Sequence, residues 1–156
     1  MNKYIVVAVF IAVALAILFY LLYPKNIAGK EVKVKIGIQE WHVELTKNDW
    51  TRAMGLSGRK FLGENDGMLF VFNRPNVQRF WMRDMKFPLD IIWIDNNKVV
   101  GVAENLPPAS FNSLKTYASP VPVRFVLEVN AGSAQKFGIN VGNEVFIYEN
   151  NKLILY

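Results

Sequence analysis

The chain has 156 residues, 52% of them hydrophobic, a formal net charge of +5 and no cysteine. That length holds one domain with its own core plus an extra apolar segment, and the missing cysteine excludes a disulfide framework, a thiolate metal site and a cysteine nucleophile. From residue 30 onward 16 Lys plus Arg stand against 13 Asp plus Glu, a scattered net of +3 that is too balanced for a nucleic-acid surface.

The extra apolar segment is residues 5–23, where about 19 residues run without a charge, enough to cross a hydrocarbon core of roughly 30 Å as a helix. A cleaved signal would end in small residues, whereas this run ends Phe19-Tyr20-Leu21-Leu22-Tyr23-Pro24. The expectation is an uncleaved transmembrane anchor over residues 1–24, with Tyr4, Tyr20 and Tyr23 at headgroup level, then a linker over 25–30 and one β-rich domain over 31–156. Only Lys3 precedes the span, while Lys25, Lys30, Lys33 and Lys35 follow it, so the positive-inside bias alone places the domain in the cytoplasm. A single amino-terminal anchor before one small domain is instead the usual build of an exported, tethered module. A single-pass membrane protein with an extracytoplasmic domain is the expectation adopted.

Past the linker, Val32, Val34, Ile36 and Ile38 alternate with lysines, and Trp41, Val43 and Leu45 alternate with His42 and Glu44, which predicts a hairpin. Thr46, with Asp49 three residues on, predicts the amino-terminal cap of a helix over 47–54 that Gly55 ends. A turn over 64–67 precedes a buried strand over 68–72, and a second turn spans 73–76. After 79–82 and a bend at Pro88, Ile91-Ile92-Trp93-Ile94 has the composition of a strand buried on both faces. Asp95-Asn96-Asn97 predicts a tight turn into a strand over 98–104.

Residues 106–122 hold four prolines with Phe111 and Tyr117, and predict an ordered loop folded onto the surface. A strand over 123–129, a short helix over 131–137 closed by Gly138, and a terminal hairpin through residues 149–152 complete the chain. Many short strands with two short helices predict a mainly β (α+β) domain, closed like a small β-barrel, after the transmembrane helix.

Arg52-Ala53-Met54-Gly55-Leu56, Gly67-Met68-Leu69-Phe70-Val71-Phe72, Phe80-Trp81-Met82-Arg83, Pro88-Leu89-Asp90-Ile91-Ile92 and Leu127-Glu128-Val129 with Ala131-Gly132 follow one another in order. That series resembles domain-of-unknown-function family 192, over essentially everything after the anchor. The resemblance implies a single β-rich domain, commonly exported, with no established reaction. One position departs: members commonly carry asparagine after the Trp-Met-Lys/Arg run, and here it is Asp84, which only accepts hydrogen bonds when ionised.

Candidate site residues cluster around 80–90. If Phe80 and Met82 point into the core, Trp81 and Arg83 point away, and an indole face beside a guanidinium can receive a sugar ring, a planar acid or a partner's side chain. The plainer reading has Trp81 covering the rim and Arg83 pairing with a carboxylate. Asp84 and Asp90 bracket the bend, and convergence with Glu104 would supply a general acid and base or a hard-cation site. The plainer reading has these aspartates accepting backbone amides.

Arg52 and Arg59 flank Gly55 and could hold an anion, or else pair with Asp49, Glu64 or Asp66. Tyr117 joins Trp81, Arg83, Asp84 and Arg52 as a ligand-binding candidate. His42 and Glu44 share a strand face, but one histidine in the chain gives a poor zinc site, so no metal and no cofactor are expected. Ser57 and Ser119 lack a neighbouring base. The expectation is a tethered module binding a small or saccharide ligand or an envelope partner. The alternative is a hydrolase or lyase acting on envelope saccharides through Asp84, Asp90 and Glu104.

Overall fold

In this computed structural model residues 32–110, 112–113 and 115–154 are described, together with Val13. The expected anchor, apart from Val13, and the whole linker lie outside the described residues, among which no helix is long and apolar enough to cross a membrane.

Alternation of valine with lysine makes β1 (Val32–Ile36) an amphipathic strand, and Gly37, at φ 59, turns it antiparallel into β2 (Gln39–Thr46), pairing Val34 with Trp41. The helix α1 (Asp49–Met54) is capped by Asn48, whose Oδ1 accepts from the Thr51 amide at 2.8 Å, and not by Thr46 as the sequence suggested. Thr46 cannot leave the sheet, because it is buried and continues the ladder opposite Phe70. The connection through α1, a helix expected from the sequence, returns as β3 (Asp66–Asn76), parallel to β2, so the chain makes a crossover that the sequence reading did not foresee. β3 also runs on through the expected turn at 73–76, with a register shift between Val71 and Asn76 where Pro75 has no amide to donate.

β4 (Arg79–Phe80) leaves the main sheet and pairs with β7 (Tyr117–Ala118). Between them, β5 (Leu89–Asp95) and β6 (Lys98–Leu106) form a hairpin closed by Asn96 and Asn97 at φ 47 and 57. β8 (Val123–Asn130), α2 (Ser133–Phe137), β9 (Val145–Glu149) and β10 (Lys152–Ile154) complete the order, with Asn150 and Asn151 making the last tight turn.

The main sheet has eight strands in the order β10-β9-β1-β2-β3-β8-β5-β6. It is not closed into the barrel that the strand pattern suggested. β6 reaches the β9 end of the sheet at the Lys98–Glu144 bridge, where the Val145 amide donates to Asn97 O, the Val99 amide to Asn143 O and the Gly142 amide to Val99 O, without forming a ladder. From Ile147 to Glu149 the outer edge of β9 is already occupied by β10, so no ladder can close.

β3, β8 and β5 are buried on both faces. On one side Leu69, Ile92, Leu127 and Phe125 join Trp41 and the β1 valines. On the other, Phe70, Ile91, Trp93 and Val126 are covered by Leu56, Met82 and Met85, which belong to the connections, and by Leu106 at the end of β6. The proline-rich connection is stapled to this cover: the Ala109 amide donates to the Met82 carbonyl and the Ser119 amide to that of Gln78, each at 2.9 Å. The Ser119 hydroxyl accepts from the Gln78 amide and donates to Val121 O, which gives it a structural role as acceptor and donor at once.

Asp90, fully buried on β5, holds two further connections. Its Oδ1 accepts from the Asn105 amide at 2.7 Å, and its Oδ2 from the Ala134 amide at 2.8 Å, giving α2 the acceptor that its own cap residue Gly132 lacks. Asp90→Ala orphans both amides and is expected to destabilise the fold by roughly 2–4 kcal/mol in urea denaturation. Asp90→Asn, which turns an N–H toward one of those amides, recovers less than half of that loss; full recovery would show that the charge and second acceptor are not used.

Candidate functional site

Strand alternation puts Phe125, Leu127 and Val129 of β8 in the inner core and leaves Val126 and Glu128 on the opposite face. Glu128 lies opposite Met68 on β3 and Ile91 on β5, both buried and apolar, and is itself only 4% exposed. Among the described residues nothing donates to its carboxyl or pairs with it. Burial pushes the carboxyl up to about 8.

The cover over Glu128 is incomplete. α1 and its following turn, the outer part of β3 and the chain from Gln78 through Met85 enclose a recess of about 240 Å³ with Glu128 in its lining. Phe70, Phe72, Phe80, Leu56 and Met85 make it mainly apolar, and Phe70 stands edge-on to Phe80 with ring centres 4.8 Å apart.

Two arginines line the same recess, in different states. Arg52 donates through Nη2 to Asp49 Oδ1 at 2.6 Å and through Nη1 to Val71 O at 2.9 Å, and lies over the Phe72 ring at 5.2 Å. Its charge is satisfied inside the protein. Arg79, exposed on β4, has no ion pair among the described residues, and it does not pair with Glu128.

The expected residues divide between this recess and its surroundings. Trp81 is 46% exposed and borders both this recess and a second, slightly more open one shared with Arg83, Asp84, Ser57 and Gly58. Arg83 lies over the indole at 4.4 Å, so one face of Trp81 already carries a cation. Asp84 is exposed at φ 60, and its carbonyl accepts from the Gly58 amide at 2.9 Å. That left-handed conformation admits asparagine and aspartate alike, which gives the family's asparagine and this chain's aspartate one backbone reason.

Asp90 and Glu104 line neither recess: Asp90 is bound to two amides and Glu104 is exposed on β6. The structure therefore brings Asp84 together with Trp81 and Arg83, and sets Asp90 and Glu104 apart from them. Tyr117 packs beside Phe80 on the β4–β7 ribbon with Lys115 at 5.0 Å over its ring, behind the recess rather than in it. Glu44 forms a bidentate pair with Arg59, and that hydrogen bond holds its carboxyl below the usual range. Among the described residues no group of His, Asp and Glu is placed to hold a metal ion. Glu128 and Arg79 were missed as site residues, although a single carboxylate within Val126-Leu127-Glu128-Val129, a run otherwise fit for burial, was a readable signal.

The family model described as Uncharacterized ACR, domain-of-unknown-function family 192, matches residues 31–147. The chain belongs to that family. No curated protein matches this family-192 chain. Its fold is similar to the crystal structure of a protein of unknown function from Novosphingobium aromaticivorans DSM 12444, at 30% identity and a TM-score of 0.68, over 77% of this chain and 88% of that one. It is similar also to a "putative transcription regulator" from Sinorhizobium meliloti 1021, at 28% identity and a TM-score of 0.67, over 74% and 91%.

In this family-192 domain the buried carboxyl has a measurable signature. The unfolded chain ionises Glu128 above its ordinary value of 4.5, while the fold keeps it protonated up to about 8. Stability is therefore drawn away as pH rises through that window, by up to about 1.4 kcal/mol per unit. Glu128→Gln should flatten the slope, match the wild type near the acid end and exceed it by on the order of 2–4 kcal/mol at the alkaline end. Parallel stability curves for the two proteins would contradict this account of Glu128.

Proposed function

We propose that this family-192 chain is a membrane-tethered, extracytoplasmic binding module that takes a small ligand in the recess over Glu128. The observation that carries the reading is a buried carboxyl, without a partner among the described residues, in the lining of a recess whose walls include Phe70, Phe72, Phe80, Leu56 and Met85. A carboxyl kept only for packing would be replaced by an apolar side chain with a gain in stability. A ligand group that meets it supplies the reason for its retention.

Aromatic walls and an aromatic, guanidinium-bearing rim suit a compact ligand with an apolar body or a sugar face. Hydrolysis of a glycosidic bond needs two carboxyl groups flanking it. The second carboxylate lining this recess, Asp49, is turned outward and tied to Arg52, which favours binding over hydrolysis. The tether is the uncharged span over residues 5–23, and membranes washed with alkaline carbonate should retain the full chain but release a chain lacking those residues.

The recess is tested with the full chain in lipid nanodiscs and a fragment library of mixed charge, observed by ligand-detected NMR. Fragments should bind the wild type, and Ala53→Trp, placed on exposed α1 where it borders both recesses, should weaken them at least about tenfold without lowering the unfolding temperature. If the library gives no binder that Ala53→Trp affects, the recess is not a ligand site.

A further inference from the structure

Glu128, buried, and Arg79, exposed, are opposite in sign when ionised, line one cavity, and have no partner among the described residues, even in each other. The remaining charges of that lining, Asp49 and Arg52, neutralise one another at 2.6 Å. A ligand that is only an acid would satisfy Arg79 and leave the carboxyl bare in its apolar surroundings. A purely amine ligand would satisfy the carboxyl and bring a second cation beside an arginine. The acid leaves the buried carboxyl without a partner, and the amine leaves the exposed Arg79 without one; a ligand carrying both groups meets both.

Resting on the binding reading above, we infer that the ligand is amphoteric and amino-acid-like, with its ammonium group on Glu128, its carboxylate on Arg79 and a short apolar side chain against Phe70, Phe72, Phe80 and Met85. The chemistry of each end fits what is there. An ammonium offers three donors to a carboxylate that has none, and the neighbouring phenylalanine rings favour a cation. A carboxylate accepts two parallel bonds from a guanidinium fork. The gap between two unpaired charges is then spanned by the ligand's own separation of charge, and a recess of about 240 Å³ holds a molecule of that scale.

Proton balance follows from the burial of Glu128. Below about pH 8 the empty site holds a proton on that carboxyl, and the arriving ammonium displaces it to solvent, so one proton leaves for each ligand bound. Besides Glu128, the charged groups facing the cavity are Asp49 and Arg52 from α1 and Arg79 from β4, while Met68 and Ile91 flank Glu128 without charge.

The experiment uses the full chain in nanodiscs and three apolar amino acids, leucine, methionine and phenylalanine, each beside its amine without the carboxylate and its acid without the amine. Calorimetry at pH 7 should show at least one amino acid binding about tenfold or more tighter than both of its truncated forms. Glu128→Gln should weaken that amino acid and its amine while sparing the acid. Arg79→Gln should weaken the amino acid and its acid while sparing the amine. Wild-type affinity should rise between about pH 6 and 8, by up to tenfold per unit, and Glu128→Gln should lose that rise.

Equal binding by an amine or an acid alone, or an equal loss of all three forms in either variant, overturns the amphoteric ligand. So does silence from all three amino acids while fragments from the library still bind in a manner that Ala53→Trp blocks; in that case the recess remains a binding site for another chemistry. Silence from both sets removes the binding reading and this inference together.

Discussion

Burial of three adjacent strands on both faces is the constraint from which the rest of this domain follows. β3, β8 and β5 pair side by side, and their outer face is as apolar as their inner one. The sheet's own curl can shield only the inner face, where β1, β2 and β9 contribute their valines and isoleucines. Something other than strand must cover Phe70, Ile91, Trp93 and Val126. The chain assigns that work to its connections, which explains why the segments between strands are long, aromatic and rich in methionine where simple turns would have sufficed.

A cover made of connections has few repeating hydrogen bonds, so it is held by individual ones. The β4–β7 ribbon, the Ser119 hydroxyl, the Ala109 amide on Met82 and the Gly58 amide on Asp84 each fix one point of it. Asp90 does the same from beneath for β6 and α2. Such a cover need not be continuous. Where α1 approaches the chain after β4 it leaves a gap, and beside Phe70 and Phe72 of β3 the sheet lends that gap the one carboxyl of β8.

This division sets what could be read in advance. Strands with alternating or wholly apolar composition were legible, as were the Asn96-Asn97 and Asn150-Asn151 turns, because their signals are local and each has one steric cause. The mainly β character, the two short helices and the ordered proline-rich loop came from the same kind of signal. The parallel pairing of β2 with β3 was not legible: a helix of six residues between strands is short for a crossover, and pairing partners are a property of the whole sheet. Closure failed for a related reason, since whether β10 or β6 takes the outer edge of β9 is a competition between distant segments. Trp81, Arg83 and Asp84 line one recess and could be grouped in advance because they are neighbours in sequence. Glu128, Arg79 and Arg52 meet from β8, β4 and α1, and only the fold brings them together.

The contrast between the two arginines carries the last step. Arg52 shows what this protein does with a cation it needs for structure: a carboxylate at 2.6 Å, a carbonyl at 2.9 Å and an aromatic ring beneath it. Arg59 is treated likewise by Glu44. Asp90 shows the same completeness for a buried carboxylate, with one amide on each oxygen. Against that local standard Glu128 stands apart: buried in the lining of the recess that the exposed Arg79 also borders, it has no donor among the described residues. Desolvating a carboxyl without compensation works against the fold at every pH above its ordinary ionisation range. On the binding reading we propose, what completes the Glu128 carboxyl comes from outside the chain, as two amides of the chain itself complete Asp90.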